Sequence, residues 1–206
     1  MSSTGGGISV DHHDWHSRRY VDEWIARDAS RDEERRVRLR QMLASAPYPG
    51  DAEIAVLDVG GGYGVVTEEV LRAFPRAVVT LQDYSQPMLD QARQRLAAHG
   101  EQIKYAVGDL RDRKWTDGVG GPFDLAVSAI AIHNLRDLGQ IAASYRAVAG
   151  VLKPKGVFLD YDLFGLIGGI DAQMQTIREA GFAAVDCLWQ EGRLAIIRAR
   201  DPRQTA

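Results

Sequence analysis

The residues best placed to do chemistry form a glycine-rich turn headed by an acid. An apolar run at 54–57 leads into the turn and a helix-like segment at 65–71 leaves it. The turn consists of an acid followed by alternating glycines: Asp58, Gly60, Gly62 and Gly64. Glycine tolerates positive φ and lets a ligand approach bare backbone. This spacing differs from the Gly-x-Gly-x-x-Gly of dinucleotide-binding turns because position 65 is Val. It predicts a ligand-binding strand–turn–helix unit, with a tight turn that binds nothing as the alternative.

Two further acids stand where the next strands are expected to end. Asp83 follows the apolar run 77–82, and Asp109 follows the next apolar run. A carboxylate about 20 residues beyond such a turn can accept hydrogen bonds from both hydroxyls of a ribose. Ser85 is expected to cap the following helix, on which Met88 faces either the ligand or the core. If Met88 faces the core, Asp83 is expected only to cap this helix and not to bind a ligand.

Apolar runs that alternate with helical patterns must position these acids. Strands are predicted at 54–59, 77–82, 103–107, 123–129, 156–161, 182–189 and 193–200, and helices at 12–28, 32–46, 64–73, 85–98, 136–152 and 171–180. Strands that alternate with helices build a parallel sheet covered on both faces. The ligand site of such a sheet lies at the carboxyl ends of the strands, near the switch in strand order. The fold class is therefore α/β, with a closing pair of strands.

The order of these motifs resembles that of the class I S-adenosylmethionine-dependent methyltransferases. The resemblance spans about residues 54 to 200 and rests on the acid-headed glycine turn, Asp83-Tyr84-Ser85-Gln86-Pro87-Met88-Leu89 and Gly108-Asp109-Leu110. It implies a Rossmann-like sheet of seven mostly parallel strands with an antiparallel last strand, and S-adenosylmethionine as cofactor. It further implies that Asp58 helps to hold the ammonium of the cofactor, Asp83 its ribose, and Asp109 with the N–H of Leu110 its adenine. The implied cofactor-binding residues are Asp58, Gly60, Gly61, Gly62, Gly64, Asp83, Tyr84, Met88, Asp109, Leu110 and Ser128.

The segment after the fourth strand bears on the acceptor. Ser128-Ala129-Ile130-Ala131-Ile132-His133 resembles the small-molecule branch of the family, in which this segment passes the methyl group. Relatives that methylate bases often carry Asn/Asp-Pro-Pro-Tyr/Phe here, and this chain does not. The formal net charge is −3, and the arginine run at 35–40 is interleaved with acids, so we read it as a solvated helix face. A small-molecule acceptor and no nucleic-acid partner are expected.

His133 and the end of the fifth strand are the candidates for the acceptor side. His133 has the side chain of a general base, or it is a structural histidine that caps a loop. Asp160 and Asp162 share one face of the strand, and Tyr161 takes the other. One carboxylate is expected to bind a cationic or hydroxylated substrate, with a solvated strand end as the alternative.

The N-terminal region is expected to cover the site, because only a short apolar segment, 163–170, follows the fifth strand. We divide the chain into a disordered segment (1–9), a helical lid (10–50) and the catalytic domain (51–206). The apolar segment itself is a second candidate for the lid, and a partner subunit, and hence a homodimer, is a third. Tyr20 is expected beside the methyl group as a catalytic residue with His133, and the expected substrate-binding residues are Trp15, His16, Trp24, Tyr161 and Asp162. Alternatively, the aromatic residues of this helix only pack on the core.

Other classes are less well supported by the sequence. His12, His13 and His16 have helical spacing that can pair ligands, but the single cysteine and the lack of a His-Glu-x-x-His motif favour no metal. No signal peptide and no apolar run of about 20 residues is present, which predicts a cytoplasmic protein without a membrane span. The predicted reaction is in-line methyl transfer to a small molecule. The alternatives are a silent S-adenosylmethionine-binding regulator and a nicotinamide-dependent oxidoreductase.

Overall fold

The computed structural model of the chain describes residues 14–203. Two sequence predictions lie outside the described residues: the disorder of residues 1–9, and the contribution of His12 and His13 to a metal site.

Helices and strands alternate along the described chain. The α-helices are α1 (Arg18–Asp28), α2 (Asp32–Leu43), α3 (Val65–Ala73), α4 (Gln86–Arg95), α5 (Leu138–Val151) and α6 (Ile170–Glu179), and the strands are β1 (Ala55–Val59), β2 (Val78–Asp83), β3 (Ile103–Val107), β4 (Phe123–Ala129), β5 (Leu152–Asp162), β6 (Phe182–Glu191) and β7 (Leu194–Pro202). Short 3-10 turns join several of them, including one at Ile132–Leu135 directly after β4. Ser85 caps α4 as expected, since its side chain accepts a hydrogen bond from the N–H of Met88. The sequence also suggested Asp32 as the N-cap of the helix predicted from residue 32; this was wrong, because Arg31 occupies the cap position and Asp32 is the first residue of α2.

All seven strands form one sheet in the order β3-β2-β1-β4-β5-β7-β6. β1 pairs in parallel with β2 on one side and with β4 on the other. β7 is antiparallel to both of its neighbours, β5 and β6. The predicted seven-stranded, mostly parallel sheet with an antiparallel last strand is therefore confirmed. The strand order switches between β1 and β4, which is where sheets of this kind open a crevice for ligands.

Two apolar clusters cover the two faces of the sheet. Residues of α1 to α4 pack with β1 and β2 into one cluster, which includes Val21, Leu39, Val70 and Leu89. Residues of α5 and α6 form the other cluster with β4 and β5. The central strands are buried on both faces, which explains their continuous apolar runs. No described helix is long and apolar enough to cross a membrane.

The N-terminal helices are fixed to this core by polar contacts. The guanidinium of Arg36, on α2, pairs with Glu69 and, at 2.7 Å, with Glu68. Arg36 is 8% exposed, so our reading of this arginine run as a solvated face was wrong for Arg36. The Ser85 hydroxyl donates to the carbonyl of Trp15, and the Gln91 amide donates to Asp22 at 2.7 Å. These contacts place α1 beside α4 and near the carboxyl edge of the sheet.

The apolar segment after β5 does not line the crevice at that edge. Phe164 and Ile167 are buried in the α5–α6 cluster. Of the segments named above as lids, the described part of the N-terminal region is the one that borders the crevice.

Candidate active site

A cavity of about 710 Å³ opens at the carboxyl edge of the sheet. The loops after β1, β2, β3 and β4 line it, together with residues from α1, α2 and their connection. Its volume is in the usual range for pockets that bind cofactors and drug-sized ligands. Of the residues predicted from the sequence, the cavity is lined by Gly60, Gly61, Gly62, Asp83, Tyr84, Met88, Asp109, Leu110, His133, Trp15 and Trp24.

The glycines of the turn have different roles. Gly62 has a φ of 53°, and a Cβ built on it would meet nothing within 4 Å, so bare backbone faces open space there. A Cβ on Gly60 would lie 2.6 Å from the Cβ of Ala131, because the β1 turn packs tightly against the loop after β4. Gly64 precedes α3, and a Cβ on it would lie 2.7 Å from the side chain of Leu96. Gly64 therefore serves helix packing and is not among the lining residues.

Asp83 ties the end of β2 to the glycine turn. Its Oδ2 accepts a hydrogen bond from the N–H of Gly62 at 2.9 Å, and its Oδ1 accepts one from the N–H of Ser85 at 2.8 Å. Burial raises the pKa of this carboxyl to about 6, and the N–H groups of Ser85 and Gly62 act in the opposite direction. Each oxygen retains a free lone pair, so the carboxylate can accept two hydroxyl groups from a ligand.

Gln82 is a structural member of the site that the sequence reasoning missed. Its side-chain oxygen accepts a hydrogen bond from the N–H of Gly60 at 3.1 Å, and its amide donates to the carbonyl of Gly108 at 2.5 Å. It therefore holds the turns after β1 and β3 at a fixed separation. A polar residue within a buried strand was the available signal, because such a group needs partners.

Asp58 lies beneath the turn and does not line the cavity. It is fully buried, and its Oδ2 accepts a hydrogen bond from the Thr67 hydroxyl at 2.6 Å. Its Oδ1 has no hydrogen-bond partner among the described residues. Burial raises the pKa of Asp58 to about 7, and the nearby charge of Asp83 contributes to the increase. The contact between Asp58 and a ligand ammonium stays a prediction.

Asp109 begins the loop after β3. Its Oδ1 accepts a hydrogen bond from the N–H of Arg111 at 2.9 Å, and the guanidinium of Arg111 lies 3.8 Å from its Oδ2. The side chain of Asp109 is 42% exposed, so the carboxylate remains available to a ligand. Leu110 and Arg111 line the cavity beside it.

His133, which lines the cavity, forms a hydrogen-bonded pair with Asp162. Asp162 is fully buried, and its Oδ1 lies 2.5 Å from Nδ1 of His133. Its Oδ2 accepts the backbone N–H of His133 at 3.0 Å, and its Oδ1 also accepts the N–H of Leu163 at 2.8 Å. Because an ionised carboxylate only accepts hydrogen bonds, Nδ1 of His133 carries a proton and Nε2 is left as the acceptor. The sequence indicated both residues but not that they are partners.

Behind this pair lies a second carboxyl group, Asp160. It is fully buried, and neither of its oxygens has a partner among the described residues. Burial and the adjacent Asp162 raise the pKa of Asp160 well above the ordinary value. The alternative of a solvated strand end was therefore wrong for both acids, and substrate binding by one of them stays a prediction.

The aromatic residues of the N-terminal region divide into two groups. Trp15 and Trp24 line the cavity, and their rings meet edge to face with centroids 5.1 Å apart. Tyr20 contacts Trp15 at 5.4 Å, and His16 contacts Tyr84 at 5.2 Å. Tyr20 and His16 thus support lining residues without lining the cavity themselves.

Two other predicted residues face away from the cavity. The Ser128 hydroxyl donates to the carbonyl of Val59 at 3.1 Å. The ring of Tyr161 packs against Trp189 with centroids 6.2 Å apart. Within residues 14–203, no group of three or more His, Cys, Asp or Glu side chains is arranged to hold a metal ion.

Several charged lining residues carried no recognisable sequence signal. Asp28, Arg31 and Arg35 come from α1, α2 and their connection, and Arg136 comes from the loop before α5. Arg35 pairs with Asp28 at 2.8 Å, with a side chain only 16% exposed, so our solvated-face reading of the arginine run was also wrong there. The positions of Asp28, Arg31 and Arg35 depend on how the N-terminal helices pack, and no local sequence pattern predicts that packing.

Comparison with known proteins identifies the class of domain that contains this site. Residues 56–156 match the family described as the methyltransferase domain. The release factor glutamine methyltransferase of Chlorobaculum tepidum is 38% identical over 90 residues, which is 43% of this chain and 31% of that protein. An O-methyltransferase family protein from Burkholderia thailandensis has the same fold, with a TM-score of 0.74 at 20% identity over 91% of this chain and 61% of its own. Human N-acetylserotonin methyltransferase, whose structure contains S-adenosylmethionine, has a TM-score of 0.71 at 16% identity over 95% of this chain and 61% of its own.

These matches and the sheet order show that the chain contains a class I methyltransferase domain. S-adenosylmethionine is the cofactor of this domain. The chain spans less than half of the length of the curated relatives it matches, with values of 31%, 28% and 44% for three of them.

Proposed function

We propose that this protein transfers a methyl group from S-adenosylmethionine to a small-molecule acceptor, with His133 taking the proton that the acceptor loses. One observation carries the proposal: the glycine turn, Asp83, Asp109 and His133 line one cavity. The glycine turn follows β1, Asp83 ends β2 and Asp109 follows β3. His133 follows β4, which lies across β1 from β2. The cavity therefore has a cofactor half and an acceptor half.

The cofactor half fits S-adenosylmethionine by its chemistry. The bare backbone at Gly62 leaves room for a ligand chain, and the carboxylate of Asp83 has free lone pairs for the two ribose hydroxyls. Asp109 can accept the adenine amino group, since its carboxylate is partly exposed at the lining. When bound, S-adenosylmethionine supplies an electrophilic methyl group on a positively charged sulfur.

The acceptor half supplies a base and excludes water. Asp162 holds His133 through one hydrogen bond from the imidazole Nδ1 and one from the backbone N–H, and the ring contributes Nε2 as a proton acceptor. Trp15 and Trp24 narrow the opening, which favours alignment and desolvation of the reacting atoms. The lid role of the N-terminal region is part of the proposal.

A small-molecule acceptor fits a cavity of about 710 Å³ better than a macromolecule does. The release factor methyltransferase among the relatives acts on a protein, so a peptide acceptor is the competing outcome. We also propose that nucleic acid is not an acceptor, because the net charge is −3 and the arginines of α2 are paired with acids.

The test is formation of S-adenosylhomocysteine with a panel of hydroxylated and aminated small molecules and with peptides. The variant His133→Gln should lower kcat by about 10²- to 10⁴-fold and leave the affinity for S-adenosylhomocysteine unchanged. The matched control is His99→Gln, since His99 follows α4 and does not line the cavity. Full activity of His133→Gln would exclude His133 as the general base. Binding of the cofactor with no turnover on any acceptor would favour a silent binding protein.

A further inference from the structure

The acceptor half of the cavity carries a cation that the proposed reaction does not use. The lining contains four arginines and three aspartates: Arg31, Arg35, Arg111, Arg136, Asp28, Asp83 and Asp109. Arg35 is paired with Asp28, and Arg111 lies beside Asp109. Within residues 14–203, Arg31 and Arg136 have no ion pair and no side-chain hydrogen bond.

Arg136 lies on the same turn as His133. Its backbone N–H donates to the carbonyl of His133 at 3.1 Å. This turn follows β4, whereas the acids that suit the cofactor follow β2 and β3, on the other side of β1. Arg136 is therefore on the acceptor side, next to the base.

The backbone at Arg136 is strained. Its φ is 56°, a left-handed conformation that favours glycine, and Ile130 at the other end of the turn has a φ of 52°. Residues held in such conformations concentrate at functional sites. The neighbouring carboxylate, Asp137, accepts the N–H of Gln140 as the cap of α5. It forms no ion pair with Arg136 among the described contacts.

We infer that the acceptor is an anion whose carboxylate or phosphate group binds the guanidinium of Arg136. A guanidinium presents a planar fork of donors that matches both oxyanions. An anionic group held there would place the rest of the acceptor beside His133. This inference rests on the proposed function, because it names the substrate class of that site.

The experiment measures binding of small probes to the protein saturated with S-adenosylhomocysteine. The probes are inorganic phosphate, benzoate and benzamide, the last being a neutral analogue of benzoate. We expect one of the anions to bind at least about tenfold more tightly than benzamide, since hydrogen bonds to charged groups are the stronger ones. Comparing the affinities for phosphate and benzoate shows whether the site prefers a phosphate or a carboxylate group.

Three variants make the test specific. Arg136→Gln should weaken anion binding at least about tenfold. Arg136→Gly should do the same without backbone strain, because glycine tolerates the observed φ and so protects the test from misfolding. Arg146→Gln removes the same charge from an exposed position on α5 outside the cavity and should change binding by less than about twofold.

The outcomes separate this inference from the proposed function. Equal binding of benzoate, phosphate and benzamide, or unchanged anion binding in both Arg136 variants, would overturn the anionic acceptor. Absence of anion binding to the wild-type protein would overturn it too. Failure of the wild-type protein to bind S-adenosylhomocysteine would instead overturn the proposed function.

Discussion

The most direct consequence of the site concerns the pH dependence of cofactor-product binding through Asp83. Burial raises the pKa of this carboxyl to about 6. The ribose hydroxyls of S-adenosylhomocysteine would donate to the ionised form, so binding favours the carboxylate. Below about pH 6 the free protein must release a proton before the ligand can bind, and the affinity falls about tenfold for each further unit. The dissociation constant should therefore be about tenfold higher at pH 5 than at pH 7.

Calorimetry at several pH values measures this effect directly. At about pH 6, half of the free protein holds the proton, so binding should release about half a proton. The release is obtained by comparing heats in buffers of different ionisation enthalpy. The variant Asp83→Asn cannot titrate and should show a flat profile from about pH 5 to 7, with weaker binding throughout because it loses hydrogen bonds to a charged acceptor. Asparagine is preferable to alanine because Asp83 also accepts the N–H groups of Gly62 and Ser85.

One result would refute the reasoning. If the wild-type protein bound S-adenosylhomocysteine equally well across this range and released no proton, Asp83 would not be the ribose acceptor. A profile that stayed steep in Asp83→Asn would assign the proton to another group.

Four further outcomes are expected. Arg36→Ala should lower the free energy of unfolding by about 2 kcal/mol in urea, because it removes the partly buried guanidinium that pairs with Glu68 and Glu69 and leaves Arg72 as the remaining partner of buried Glu69. The exposed Arg40→Ala should cost under about 1 kcal/mol, and equal losses would contradict this reasoning. The pKa of Asp58 is raised from 3.8 to about 7. The contribution of this group to stability is therefore greatest below pH 3.8, is lost as pH rises through about 7, and amounts to roughly 4 kcal/mol. The variant Asp58→Asn should flatten the dependence of the free energy of unfolding on pH over this range. Asp162→Asn should lower kcat at least about 10²-fold without changing affinity for S-adenosylhomocysteine, since it disturbs the tautomer of His133; wild-type kcat would exclude this role. No salt-sensitive shift of transfer RNA or duplex DNA is expected at about micromolar protein, and an observed shift would reopen a nucleic-acid acceptor.

The sequence predicted the sheet well, in part because its central strands are buried on both faces and appear as continuous apolar runs. Six of the seven strands begin and end within about two residues of their predicted bounds. β5 starts at Leu152, four residues before its predicted start at 156, because Lys153 and Pro154 interrupt the apolar pattern. α1 begins at Arg18 and not at 12, since the side chain of Ser17 caps it by accepting the N–H of Tyr20.

The candidate site was predicted only in part, because some of its residues follow strands in order along the chain whereas others depend on tertiary packing. Acids and glycines that follow strands can be found in order along the chain, because parallel strands end at one edge. The pairing of His133 with Asp162 joins residues 29 positions apart and depends on the turn after β4, which no periodic pattern reports. The cavity-facing Arg31 and Arg35 depend on how α1 and α2 pack against the core.

The place of β7 in the sheet has a consequence for how the chain folds during synthesis. β5 pairs with β7 and not with β6, so β5 keeps an open edge until residues 194–202 have been made. An open, apolar strand edge is a template for pairing with other chains. Residues buried on β5, including Asp162 beneath His133, would therefore be assembled late, and a nascent chain that stalls before residue 194 should aggregate or recruit a chaperone.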